Sequence, residues 1–323
     1  MSIPASVSIP TSPSISVVIP AYNCGPKVQK TLDSVLAQTL APLEILVIDD
    51  GSQDETAGWI EDHYRGQKMV RVIRQTNQGV AAARNRGLLE AGGAYVAFLD
   101  HDDVWLPTKL QRQLEVALEH PEAAVIYSLW RDVDEDGTPF SESYWNTYFR
   151  RWTAQTGQVY QWICAMPCPI VSMSVPLLRT QAVREIGGFA PETVPCDDWD
   201  LWLRLSRKNR FEMVPEELVH YVHHSRQQSS DLSALYAGMR RTLKRQWPFV
   251  LRHPNRWWFV WSFSRFLATA PLYSQAKAEL FARRPWNVAR LVFRVAVRAP
   301  LSLFSPQWIV LGRRLLTRNF SVY

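Results

Sequence analysis

A chain of 323 residues, 47% hydrophobic and 20% charged, has room for one large α/β domain with an appendage or for two domains, and its composition excludes a fibrous or wholly disordered polymer. Its cysteines (Cys24, Cys164, Cys168 and Cys196) follow no regular spacing, which argues against a disulfide scaffold and favours core thiols over a metal site. The formal charge of +6 is unevenly placed: Arg240 to Tyr323 hold 16 Lys/Arg against one acid, Glu279, or +15, and everything before them sums to −9, so the C-terminal part is expected to face an anionic surface.

Residues 1–13, rich in Ser, Pro and Ile with no basic residue before Lys27, are expected to be a disordered leader and not a secretory signal. Ser14 to Pro20 (SISVVIP) is a β-branched strand, Ala21 to Gly25 its turn, and Pro26 opens a helix to about Gln38. Leu43 to Ile48 is a second strand ending in Asp49-Asp50-Gly51-Ser52, after which Asp54 caps a helix to about His63. Met69 to Arg74 is a third strand, and Gln78 to Glu90 an Ala-rich helix stopped by Gly92-Gly93. The central strand, Tyr95 to Leu99, is followed by a helix from Pro107 to about His120 and a strand from Ala123 to Leu129. Strands alternating with helices predict a largely parallel sheet up to residue 129. Further on, Ile170 to Val175 reads as a strand, Arg179 to Glu185 as a short helix, Leu201 to Lys208 as an amphipathic helix, and Phe211 to Val214 and Leu218 to Val222 as two short strands. From about Asp231 the pattern is helical.

The central strand delivers Asp100, Asp102 and Asp103 to its C-terminal end, where open α/β sheets bind ligands. In extended chain Asp100 and Asp102 share a side and suit one hard cation that keeps positions free for phosphate oxygens. A solvated acidic loop capping the helix near Pro107 is the competing reading. No G-x-G-x-x-G turn or P-loop is present, which disfavours a dinucleotide domain or an NTPase.

The segments SVVIPAYN (16–23), IDDGSQDET (48–56), NQGVAAARNRGL (77–88), AFLDHDDVW (97–105), IGGFAPE (186–192), DDWDLWLRL (197–205) and YVHHSRQQSS (221–230) together closely resemble the bacterial family of inverting, GT-A-type nucleotide-sugar glycosyltransferases, glycosyltransferase family 2. The resemblance spans roughly residues 14–230 and implies a GT-A catalytic domain there, with 231–323 a basic helical extension. It implies that Pro20, Tyr22, Asn23 and Asp50 line the nucleotide, where a carboxylate at Asp50 accepts the N3–H of a uracil, and that Arg84 faces the nucleotide. Asp100 and Asp102 stand at the family's D-x-D: Asp102 would ligate Mn²⁺ or Mg²⁺ on the diphosphate of the donor, a UDP-sugar by expectation, and Asp100 would approach the ribose or the metal. Asp197-Asp198 replaces the usual Glu-Asp, so Asp198 becomes the general base toward a hydroxyl of a glycan or lipid-linked acceptor; Asp200 is the alternative base, but it falls inside the helix, where it is expected to face solvent or pair with Arg204. His224 and Ser229 fall in the segment that closes over the diphosphate; Val222 stands where that segment's Arg is expected, and Arg226 is a substitute charge. The expected role is surface-polysaccharide or glycoconjugate synthesis.

In the basic tail, Trp286 to Arg298 (WNVARLVFRVAVR) is amphipathic, with Arg290, Arg294 and Arg298 at every fourth residue. Arg with Trp and Phe suits an anionic membrane surface, and the expectation is a peripheral protein on the cytoplasmic face. The longest apolar run, Ala299 to Gly312, is too short to span and is interrupted by Pro300 and Pro306. Two other readings of the tail are a helical cap on the acidic domain and a nucleic-acid grip.

Overall fold

A computed structural model describes residues 14–140, 156–160, 163, 170–224, 231–257 and 284–298, with parts of 260–282. In chain order its elements are β1 (Ile15–Ala21), α1 (Val28–Leu36), β2 (Glu44–Asp49), α2 (Thr56–His63), β3 (Val70–Arg74), α3 (Val80–Glu90), β4 (Tyr95–Phe98), β5 (Val104–Trp105), α4 (Lys109–Glu119), β6 (Ala123–Val133), β7 (Leu177–Arg179), α5 (Thr180–Glu185), α6 (Asp197–Leu205), β8 (Arg210–Val222), α7 (Leu232–Val250) and α8 (Pro285–Arg298).

The strands form one sheet in the order β3-β2-β1-β4-β7-β6-β8-β5. The first four are parallel, and β1 and β4 are buried at every position, as β-branched and apolar runs covered on both faces must be. β7 is antiparallel to both β4 and β6, which returns β6 to the direction of β4, and β8 lies parallel to β6. β2, β1, β4, β6 and β8 therefore all open their C-terminal ends on one edge. That edge collects the loops at 21–25, 49–56, 99–103 and 223–224. Gly87 lets α3 lie close on β1, since a Cβ there would come within 2.2 Å of Val18; the close approach sets the height of Arg84 one turn earlier.

Several expectations from sequence need correction. Ile170 to Val175 is not a strand; the pairing strand is β7, just downstream. The hydroxyl of Ser172 accepts from the amide of Ser174 (3.0 Å), and both serines donate to Asp103, so local side-chain bonds replace the ladder. The two short strands over 211–222 are one strand, in which the register slips from Ser128↔Val214 to Leu129↔Glu217. Pro215 and Glu216 occupy the slip, a place where a missing amide costs no ladder bond. The helix expected from Leu201 starts at Asp197, its acids favourably placed in the first turn.

The sheet unit does not stop at residue 230. On α7, Leu243 and Val250 are buried, Arg241 donates to the carbonyls of Glu192 (2.5 Å) and Val194 (2.7 Å), and Arg245 reaches Asp200 (3.1 Å). Among the described residues, no helix is long and apolar enough to cross a membrane.

Candidate active site

The loop after β4 is fixed before any ligand arrives. Thr31 on α1 donates its hydroxyl to the carbonyls of His101 (2.9 Å) and Asp103 (2.8 Å). The Asp103 carboxylate is buried and accepts from Ser174 (2.5 Å), Ser172 (3.3 Å) and the amide of Val222 at the end of β8 (3.0 Å). Burial first, then Asp102 and Asp100, push its pKa well above the usual carboxylate range. Ser174 also accepts from the Asp100 amide (3.1 Å). Asp103 thus ties the acid loop to the strand that leads into His223 and His224.

Arg84 is the junction of the site. Its guanidinium is buried between two loops, donating to Asp100 Oδ1 (2.6 Å) and Asp197 Oδ2 (2.8 Å) and lying 5.6 Å from the Phe189 ring centre. Burial alone lowers an arginine pKa, but Asp100 and Asp197 outweigh it and hold the charge more firmly than usual. It is not a solvated helix charge: it joins the D-x-D loop to the first turn of α6. The neighbouring Asn85 clasps the Gly-Gly-Phe turn from the same helix, exchanging bonds with the Phe189 carbonyl (2.9 Å) and amide (2.8 Å). Gly188, at φ +68°, leaves the space that Asn85 fills.

On α6 the adjacent acids separate by environment. Asp197 is buried against Arg84, whereas Asp198 is half-buried, its Oδ1 taken by the Trp199 amide (2.6 Å). Among the described residues Asp198 Oδ2 has no hydrogen-bond partner. Burial and the neighbouring Asp197 push the Asp198 pKa up to about 7, against the pull of Arg84. A carboxylate poised there is a competent general base near neutrality. Asp200 does pair with Arg204 (2.6 Å), but it is fully buried and not solvent-facing, because Arg245 from α7 approaches its other oxygen. Arg204 in turn donates to the carbonyls of Ile186 and Gly188, so this acid holds the helix in place.

The turns beside β1 and β2 interlock. Pro20 is buried in β1 beside Ile48, and Tyr22 is exposed at the rim. Asn23, at φ +47°, accepts from the Gln53 amide (2.8 Å) and its own amide donates to Ser52 Oγ (3.0 Å). Asp49 accepts from Ser52, amide and hydroxyl. Asp50 is buried and accepts from Gln75 (2.7 Å) and from the amides of Gln78 (2.9 Å) and Gly79 (2.7 Å), where α3 begins. Its carboxylate already holds the turn that starts the Arg84 helix.

Asp102 and His224 meet at the open edge, with Oδ2 2.7 Å from Nε2. Carboxylate oxygen with imidazole nitrogen is a donor set that suits a first-row divalent ion. Asp100 is turned to Arg84 and does not join them; the one trio of ligand atoms within 4.8 Å of one another among the described residues is His120, Glu122 and Glu212, at the opposite end of β6 and β8. Ser229 and Arg226, like Cys164, Cys168 and the leader 1–13, lie outside the described residues. Ser172, Ser174 and Thr31 were not singled out from sequence, and Asp103 was named only as the third acid of the D-x-D-D run; serines two apart in an apolar stretch look like an ordinary strand face.

A family model described as Glycosyl transferase family 2 matches residues 16–175. The Escherichia coli chondroitin synthase is 30% identical over 210 residues, which cover 65% of this chain and 29% of that protein. The chain spans less than a third of the length of the first curated relatives it matches. Among solved structures, the mannosyltransferase PcManGT of Pyrobaculum calidifontis, in complex with GDP-Man and Mn²⁺, superposes with a TM-score of 0.61 at 16% identity, covering 96% of this chain and 89% of that one. S. aureus TarS 1–349 in complex with UDP-GlcNAc gives 0.56 at 19%, covering 94% and 81%. At such identities the likeness is one of fold: an α/β unit of the GT-A type with a mostly parallel sheet, as expected.

Proposed function

Residues 16–175 place this chain in glycosyl transferase family 2, and from that premise we propose that it moves a sugar from a nucleotide donor, a UDP-sugar by preference, to a hydroxyl of a glycan or lipid-linked acceptor with inversion at the anomeric carbon. The observation behind this reading is the Arg84 junction. One buried cation holds the diphosphate-side acid, Asp100, and the base-bearing turn, Asp197-Asp198, at a fixed separation. Asp198 Oδ2 takes the proton of the acceptor hydroxyl as its oxygen attacks the anomeric carbon; the bond from that carbon to the phosphate oxygen breaks, and the nucleoside diphosphate departs on the opposite face. A single displacement inverts the configuration.

Asp102 and His224 would hold a divalent ion, Mn²⁺ fitting their mixed oxygen and nitrogen set better than Mg²⁺. Such an ion supplies neutralisation of the charge that develops on the leaving diphosphate. Tyr22 and Asn23 with Asp50 behind them form the wall against which the base would lie, and Pro20 stiffens its floor. Chondroitin synthase and hyaluronan synthase among the relatives support a polysaccharide context.

The test is nucleoside diphosphate release from a panel of UDP- and GDP-sugars with Mn²⁺, Mg²⁺ or EDTA, with product configuration read by NMR. Release from one donor, lost in EDTA and lost in Asp102→Ala together with Mn²⁺-dependent donor binding, is expected. Undiminished turnover of Asp102→Ala in EDTA would overturn the metal assignment, and a product of retained configuration would overturn the single displacement.

A further inference from the structure

The basic tail contains two described helices that use their arginines differently. On α7, Arg241 and Arg245 are occupied within the protein, by the carbonyls of Glu192 and Val194 and by the carboxylates of Asp200 and Glu192. On α8 the inward positions Val288, Leu291 and Val295 are buried, while Trp286 is 86%, Phe293 68% and Val297 66% exposed. At about 100° per residue those three outward side chains fall within roughly 40° of one another, with Arg290 and Arg294 along one flank. Leu291 and Val295 thus face the protein and Trp286 the outside.

Single exposed apolar residues are ordinary, but a tryptophan, a phenylalanine and a valine aligned on one outward stripe need a partner. Beside the stripe lies a cavity of about 340 Å³ lined by Gln275, Glu279, Asn287, Arg290, Leu291 and Arg294. Glu279 is engaged there by Asn287 (2.8 Å) and lies 3.9 Å from Arg284, and among the described residues neither Arg290 nor Arg294 has an ion-pair partner. We propose that this outward face of α8 docks on an anionic phospholipid bilayer, with Trp286, Phe293 and Val297 at the depth of the headgroups and Arg290 and Arg294 on lipid phosphates at the cavity mouth.

Charge decides among occupants. A second copy of the chain would set the arginine flank against its own equivalent in a two-fold pair. A nucleic acid strand follows a basic groove with stacking rings, whereas this is a convex stripe that includes an aliphatic side chain. Residues 240–323 carry a net charge of +15 in sequence, which complements anionic lipid. The inference does not depend on the transfer reaction.

The experiment is flotation of the full chain with phosphatidylcholine vesicles, with and without phosphatidylglycerol, at low and high salt. Binding is expected only with phosphatidylglycerol and should weaken with salt. Arg290→Glu with Arg294→Glu should reduce partitioning roughly 30-fold or more, at about 1 kcal/mol for each basic residue removed. Trp286→Ser with Phe293→Ser should reduce it without altering the salt dependence. Both double variants should melt like the parent, because the altered side chains are exposed. The proposal is overturned by any of four results: no flotation of the parent, equal flotation of the variants, a lowered melting temperature in both variants, or RNA binding or concentration-dependent dimerisation that the same changes abolish while vesicle binding persists.

Discussion

Asp49-Asp50, at the end of β2, and Asp197-Asp198, in the first turn of α6, are the same dipeptide, and the protein uses them in opposite ways. At 49–50 both carboxylates are consumed by the fold: one closes its own turn through Ser52, the other receives the first amides of α3. At 197–198 only the first is consumed, by Arg84, and the second keeps an oxygen without a hydrogen-bond partner among the described residues, with its pKa pushed up to about 7. Asp102-Asp103 repeats the second arrangement in mirror order, Asp103 bound by serines and Asp102 facing His224. A carboxylate surrounded by donors builds structure; one left with a free oxygen beside another acid becomes chemically available. The difference lies in what neighbouring elements bring to each site, not in the acids themselves.

If that comparison is right, Asp198→Asn should lower turnover by roughly two to four decades, with donor affinity and melting temperature close to the parent. Near-normal turnover here together with an inactive but well-folded Asp197→Asn would reverse the roles of the pair. Arg84→Met should have the largest effect on stability, about 3–5 kcal/mol by denaturant titration, because it leaves Asp100 and Asp197 partly buried without their cation. Combining it with Asp197→Asn should cost less than the sum of the two, as coupled groups do; strict additivity would refute the junction. Asp50→Asn should register as stability, about 1–3 kcal/mol through the disturbed amides at the start of α3, with a smaller change in turnover than Asp198→Asn gives. The smallest effect is on pH dependence. The base acts ionised, so kcat should fall as pH drops through about 7. Asp197→Asn removes the adjacent negative charge and leaves Arg84 less neutralised, and both changes favour the ionised form, so the acid limb should move to lower pH. A limb that stays in place or moves upward would detach Asp198 from the profile.

Much of this was legible in the residues. SVVIP, EILVI and YVAFL are β-branched or apolar runs that a parallel sheet buries on both sides, and the helices between them announce crossovers. The end of the central strand marked Asp100, Asp102 and Asp103 as candidates, whereas Asp50 and Asp198 were named through the resemblance to the glycosyltransferase family. Local pattern failed where bonds come from far away. The serines at 172 and 174 alternate like a strand, and only Asp103, some seventy residues earlier, makes them a turn. Pro215 reads as a strand end, and only the slipped register with β6 lets the strand continue.

What the sequence by itself determined, then, is the class of fold and, through the family resemblance, a set of candidate acids, because hydrophobic periodicity, turn chemistry and short motifs are local properties of the chain. Which acid is engaged by Arg84, which by serines and backbone amides and which by His224 was decided only by tertiary structure. The Arg84 contacts that separate these acids come from residues distant in sequence: Asp100 sixteen positions from Arg84, Asp197 one hundred and thirteen. The same holds for α8, where the apolar residues of one amphipathic helix could be assigned to an inner and an outer face only once the helix had docked.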